Sequence, residues 1–254
     1  MRDGKAEGHG IDRKPDGKTI EGNFHKGLVG GVVKYTESTG YRYEGGWANG
    51  RQEGHGIAVW PDGSRYEGEW LSGMRDGNGS YVWLDGTRYD GEWKAGKSDG
   101  QGKLVEAGGV IYEGEFRNGL PNGHGTLTRT ADGSRSEGEW KDGKQNGSTT
   151  ITDAAGNRFI GNVCNWSKCG KGTYILKNGN RYEGEWANNA VDGRGVYVWA
   201  NGDRYDGEWK AWRPNGQGVL TKSDGETYSG MWNGGCFQDA SRKISLFIDE
   251  SKCH

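Results

Sequence analysis

Apolar residues are scarce in this chain: only 31% of its 254 residues are hydrophobic, too few to fill a thick globular core. Nowhere do they run far enough to span a bilayer as a helix. The opening residues, Met1 to Gly8, lack the apolar stretch of a secretory signal, so the expected location is cytoplasmic, with association to cytoskeleton or membrane. Net charge is small as well, -2 from 33 basic and 35 acidic residues that alternate along the chain, and no basic field invites a nucleic acid. Cysteine is sparse. Cys164, Cys169, Cys236 and Cys253 are too irregularly spaced for a disulfide framework, and no Cys-x-x-Cys pair offers a zinc site. The sequons at Asn78, Asn146 and Asn165 matter only in a secreted chain.

Glycine and aromatic residues are abundant, with 50 Gly, 12 Trp and 12 Tyr, which rules out the aromatic-poor composition of a disordered chain. They recur with a period. Tyr-Glu-Gly-Glu-Trp or a close variant starts at Ile20, Tyr43, Tyr66, Tyr89, Tyr112, Ser136, Phe159, Tyr182, Tyr205 and Tyr228, in steps of 23 residues with one of 24. A Gly-x-Gly signal keeps step from Gly8 to Gly216, losing its second glycine at Val33 and Thr149. Asp-Gly or Asn-Gly turns, such as Asp62-Gly63 and Asn178-Gly179, separate the two signals. Each unit therefore reads strand, turn, strand, turn.

Strand alternation puts Tyr66, Gly68 and Trp70 on one face and Glu67 and Glu69 on the other. The expected register sets Tyr66 against Tyr81, Gly68 against Gly79 and Trp70 against Gly77. A three-residue loop at Leu84-Asp85-Gly86, closed by a G1 bulge, then sets Tyr81 against Tyr89 and Gly77 against Trp93. Rings leaning over bare glycine rows would bury apolar area without a second layer. The expected fold is all-β: an elongated single-layer antiparallel sheet of about ten 23-residue hairpins forming a twisted open rod. The array covers 1–239, and a capping tail follows at 240–254. Within that tail Lys243 to Ile248 reads as a capping strand or a short helix packed on the last unit. Substitutions at Thr149, Ser136 and Val163 suggest a loose or bent seam over 128–163.

The motif Tyr-Glu-Gly-Glu-Trp-x-x-Gly-x-x-x-Gly-x-Gly with an Asp-Gly turn, nearly whole from Tyr66 to Gly86 and from Tyr182 to Gly202, resembles the membrane occupation and recognition nexus (MORN) repeat. That resemblance implies an extended sheet used as a scaffold in cytoskeletal, ciliary and junctional assemblies. It implies no catalytic activity here, because family members that are enzymes carry their chemistry in another domain.

The chemical signals have structural readings. Gly-His-Gly at Gly8, Gly54 and Gly123 lacks the helix that a phosphate loop needs, and His9, His55 and His124 lie too far apart along the repeat to share a metal. Repeated pairs such as Glu67 and Glu69 read as a solvated, Arg-balanced face rather than as an acid and base. No cofactor or catalytic residue is expected. Aromatics outside the obligatory pattern are the binding candidates: Trp60, Trp83 and Trp199 near second-strand ends, Tyr81 and Tyr197 beside them, and Trp166 and Trp212 in place of a turn glycine. The leading function is a scaffold gripping an extended peptide or a helix of a partner protein along an aromatic trough, with self-association through terminal sheet edges. A phospholipid adaptor with weak lipid contact and a carbohydrate binder are the alternatives. Cys164 and Cys169 face each other across one hairpin, where a cross-strand disulfide is geometrically possible, while a reducing cytosol favours two thiols.

Overall fold

The structure is a computed structural model describing residues 4–253. The chain divides into two compact units, the first running through Thr130 and the second starting at Ala131. In each unit the strands pair antiparallel with their chain neighbours, so each is an open meander of hairpins. One short 3-10 turn, Glu250–Lys252, is the only helical element among the described residues.

The hairpin of Arg65–Leu71 with Met74–Val82 shows how one unit is built. Tyr66 pairs with Tyr81 and Gly68 with Gly79, as the alternation requires. Across the next turn Tyr81 meets Tyr89, Gly79 meets Gly91 and Gly77 meets Trp93. That turn has the expected form: Gly86 N–H donates to the Trp83 carbonyl, Trp83 N–H to that of Thr87, and Gly86 adopts φ 85°. Asp85 Oδ1 accepts the Thr87 amide at 2.9 Å, locking the loop.

One part of the register is corrected. Trp70 lies opposite Arg75, not Gly77. The reason is the tight turn at Ser72-Gly73, where both residues have positive φ (50° and 83°) and Leu71 pairs directly with Met74. Two constraints, that turn and the Gly68–Gly79 pair, fix registers two residues apart, and a bulge around Gly77 (φ 97°) absorbs the difference. Glu69 completes it: its carboxylate accepts the Asn78 amide at 2.9 Å, and Glu92, Glu115 and Glu185 do the same for Gln101, His124 and Arg194. In these four motifs the second Glu is therefore a cap on the bulge. The first pairs with Arg on the exposed face, as in Arg65–Glu67 at 2.6 Å, where screening leaves such pairs little net energy.

The glycine pairs make room for rings. A Cβ on Gly79 would lie 2.5 Å from Tyr66 Cε2, so the phenol lies where side chains would otherwise stand. Its hydroxyl reaches past the gap and donates to the Glu69 carbonyl at 3.0 Å; Tyr43, Tyr89, Tyr112, Tyr182 and Tyr205 make the equivalent bond. Tryptophan joins successive hairpins: Trp93 Nε1 donates to the Gly79 carbonyl at 3.1 Å, and Tyr66 meets Trp93 edge-on at 5.4 Å. The turns stack too, since the Gly73 and Gly96 amides donate to the Gln52 and Arg75 carbonyls one repeat earlier. Burial of these rings is nearly complete, with Tyr66 at 0% and Trp93 at 6% exposure.

The exceptions obey the same geometry. Where Thr149 takes the place of the second glycine, Ser136 stands where the tyrosine would be, and Gln145 Nε2 reaches into the vacated space to bond Ser136 Oγ. Where Val33 takes that place, Ile20 heads the hairpin. The irregular units carry small defects: Trp47 Nε1 and Thr149 Oγ1 are buried with no hydrogen-bond partner among the described residues. The boundary between the units falls within 128–163.

All four cysteines are paired: the disulfide alternative holds for Cys164 and Cys169, and the preference for thiols and the expectation of no disulfide framework are corrected. Cys164–Cys169 brackets a hairpin turn, and Cys236–Cys253 ties the C-terminal segment to the last hairpin. That segment forms the strand Lys243–Ser245 against Cys236–Gln238, so the strand alternative holds there. It then folds back with Phe247 at φ 64° and does not stay on the last unit alone.

The ring-over-glycine geometry predicts a rescue. Gly79→Thr should destabilise the protein by about 1–3 kcal/mol through overpacking, and Tyr66→Ser by about 3 kcal/mol or more through the lost ring. The double variant, a copy of the natural Ser136 and Thr149 pair, should be more stable than the sum of the two predicts in thermal unfolding. Strict additivity would contradict the geometry.

Candidate functional site

Rings used twice by the repeat, on the glycine row and across to the next hairpin, are buried. The rings left over lie further out on the same face. In unit 1 Trp60, Tyr81 and Trp83 come together: Tyr81 lies 5.4 Å from Trp60 and 4.6 Å from Trp83, and Trp83 remains 38% exposed. Tyr81 Oη donates to Ser64 Oγ at 3.0 Å, which fixes the phenol. Arg75, brought to this face by the tight turn, lies 4.2 Å over the Trp93 ring and 4.8 Å over Tyr81, and donates to the Gly96 carbonyl at 2.6 Å. Such a cation between rings gains cation–π attraction when desolvated. Burial pulls its pKa below the usual arginine value. Arg75, Tyr81, Trp83 and Trp93 line a groove of about 700 Å³ that also takes in Asp85, Glu106 and Phe116, with Trp60 packed beside it on Tyr81.

In unit 2 the other candidates divide. Tyr197 and Trp199 are 4.6 Å apart, but Phe247 from the C-terminal segment covers them, and Tyr197 is 7% exposed. The chain's own C-terminal segment thus lies against both of these binding candidates. Trp212 lies edge-on to Trp186 at 5.1 Å and lines a second groove with Tyr197, Trp209 and Phe247. Trp166 stands apart, edge-on to Trp140 at 5.0 Å. Trp166 (φ 72°) and Trp212 (φ 69°) do occupy the turn position where most other units have glycine and one has Asn189, a conformation costly for a bulky residue.

Sequence reasoning missed Arg75, Trp93 and Phe247 as parts of these surfaces, and Lys168 with them. Lys168 occupies the position of Arg75 in a later repeat, 4.7 Å from the Tyr174 ring and 5.1 Å from Trp186. The available signal was the two-residue turn, which would have placed both cations on the aromatic face. Among the described residues no cluster of His, Cys, Asp and Glu could hold a metal ion, and no helix is long and apolar enough to cross a membrane.

The model of the MORN repeat matches residues 43–65, 66–88, 89–105, 112–134, 137–158, 168–181, 182–204 and 205–227, most of the chain. The chain belongs to the MORN-repeat family. No curated protein matches it. Among solved structures, the G-box domain of the microcephaly protein CPAP aligns with a TM-score of 0.33 and 10% identity, over 89% of this chain and 100% of that one. The Drosophila melanogaster SAS-4 TCP domain, solved in complex with a proline-rich motif of Ana2, aligns with a TM-score of 0.26 and 13% identity over 88% and 90%. Both likenesses are too distant to carry function to this MORN-repeat chain.

Proposed function

We propose that this MORN-repeat chain is a non-catalytic docking protein. It holds a partner polypeptide, as an extended segment or a helix, along its aromatic groove within a cytoskeletal, ciliary or membrane-associated assembly. The observation that carries this reading is the open surface of Trp60, Tyr81 and Trp83 around Arg75, aromatic area beyond what the repeat needs for its own packing. Aromatic and arginine side chains of this kind dominate binding energy at protein interfaces. The repeated carboxylates have structural work instead of acid or base roles: Glu69 caps a bulge and Glu67 pairs with Arg65.

Affinity capture with the full chain tests the reading. Replacing Trp60 and Trp83 together by Ala should cut recovery of the native partner by about tenfold or more while the circular dichroism stays that of the wild type; undiminished recovery would remove the groove from the function.

The pairing of the cysteines bears on the setting of that assembly. Disulfides are ordinary in an oxidising compartment and rare in the cytoplasm, where a cytoskeletal assembly would hold the cysteines as thiols. Counting free thiols on protein taken from its native cells separates the two: none in the oxidising setting, all four cysteines in the reducing one.

A further inference from the structure

The repeat places Tyr197, Trp199 and Trp209 of unit 2 five repeats after Tyr81, Trp83 and Trp93 of unit 1, in the same positions of the motif. The two sets of rings have the same shape. Tyr81 and Trp83 are 4.6 Å apart at 57°, and Tyr197 and Trp199 are 4.6 Å apart at 59°. Tyr81 and Trp93 are 6.0 Å apart at 47°, and Tyr197 and Trp209 are 6.1 Å apart at 42°. They differ in what lies on them. In unit 2 the Phe247 ring stacks on Trp199 at 5.5 Å and 24°, meets Tyr197 edge-on at 5.1 Å and reaches Trp209 at 5.6 Å. In unit 1 Trp83 meets no ring but Tyr81 among the described residues, Arg75 lies over Tyr81 and Trp93 as the floor, and the rings open into the groove.

A site already shaped like its occupied counterpart needs little rearrangement to accept the same kind of side chain. The floor of the unit 1 groove adds a preference. Arg75 stands where unit 2 has Val191, and among the described residues no carboxylate forms an ion pair with it. A desolvated cation held by rings and one carbonyl gains a charge-assisted partner when a carboxylate arrives. The tail shows both groups on one short stretch, since Asp249 follows Phe247 by two residues. A second copy is not the donor of that stretch, because Cys236–Cys253 ties each tail to its own last hairpin.

We propose that the Tyr81, Trp83 and Trp93 groove of unit 1 is a socket for a phenylalanine on an extended segment of a partner protein, with a carboxylate close by in that segment to meet Arg75. The tail's own placement on unit 2 is its template. The socket rests on the docking reading above and gives it an anchor residue and a charge.

The test titrates a capped Ser-Leu-Phe-Ile-Asp peptide into the full chain and follows the tryptophan indole N–H signals by NMR. The Trp83 and Trp93 signals should shift saturably with a dissociation constant on the order of 1 mM or below. Alanine in place of the peptide's phenylalanine should weaken binding by at least about tenfold. Asparagine in place of its aspartate should weaken it on the wild type but not on Arg75→Val. Trp199→Ala should leave the Trp83 response intact. No shift at about 10 mM peptide, or an equal response to the alanine peptide, overturns the socket. Either result leaves the docking reading to the capture experiment, which fails separately if partner recovery ignores Trp60 and Trp83.

Discussion

A missing side chain is the constraint on which this protein depends. In a single-layer sheet the only place for a tyrosine to bury its ring is directly over the backbone, and only a glycine pair such as Gly68 and Gly79 leaves that surface bare. Glycine is ordinarily unfavourable in a strand interior. Here its cost is offset by ring burial and by the hydrogen bond from the phenol to a bulged carbonyl three residues on. Thr149 and Ser136 are the same rule read backwards: once the gap is filled, the ring is gone.

That economy of packing decides where function can sit. Tyr66 and Trp93 are consumed by the sheet, and the exposed face carries Arg and Glu pairs and bulge caps. What remains free to vary is the position just after the tight turn, occupied by Gln52, Arg75, Ser98, Pro121, Gln145, Lys168, Val191 and Pro214 in successive units. Its side chain enters the aromatic face between rings of neighbouring hairpins, as Arg75 and Lys168 show. A uniform framework thereby presents a different groove floor at each unit. Unit 2 fills its groove with Phe247, while unit 1 leaves the matching rings open.

Much of this was legible in the sequence because the strand period of two and the repeat of 23 residues reinforce each other. The tyrosine and glycine pairings and the three-residue loops followed from keeping like faces together. The Trp70 register did not, because two local constraints disagree and the bulge that reconciles them leaves no hydrophobic mark. The site was half visible. Trp60, Tyr81 and Trp83 stood out as aromatics the repeat does not require, yet Arg75 was hidden by the wrong register. Phe247 was hidden because its contact spans fifty residues of chain and no periodicity announces it. The hairpin register already set Cys164 against Cys169, but the Cys236–Cys253 disulfide was missed because cysteine spacing was judged apart from the fold that brings those two together.

If rings over glycine hold the layer together, the phenols must keep their protons while it stands. Burial pushes the Tyr66 hydroxyl up to about 12 and raises Tyr43, Tyr89, Tyr112, Tyr182 and Tyr205 as well. An unfolded tyrosine ionises near pH ~10, so above that pH the native state binds more protons than the unfolded one. The stability these groups contribute is intact below that pH and is lost as the pH rises through the folded value. An alkaline titration followed by tyrosinate absorbance and near-ultraviolet circular dichroism is the most direct test. The account predicts that these six phenols ionise only together with the loss of the aromatic dichroism. Ionisation of all of them near the unfolded value, with the dichroism unchanged, would contradict it.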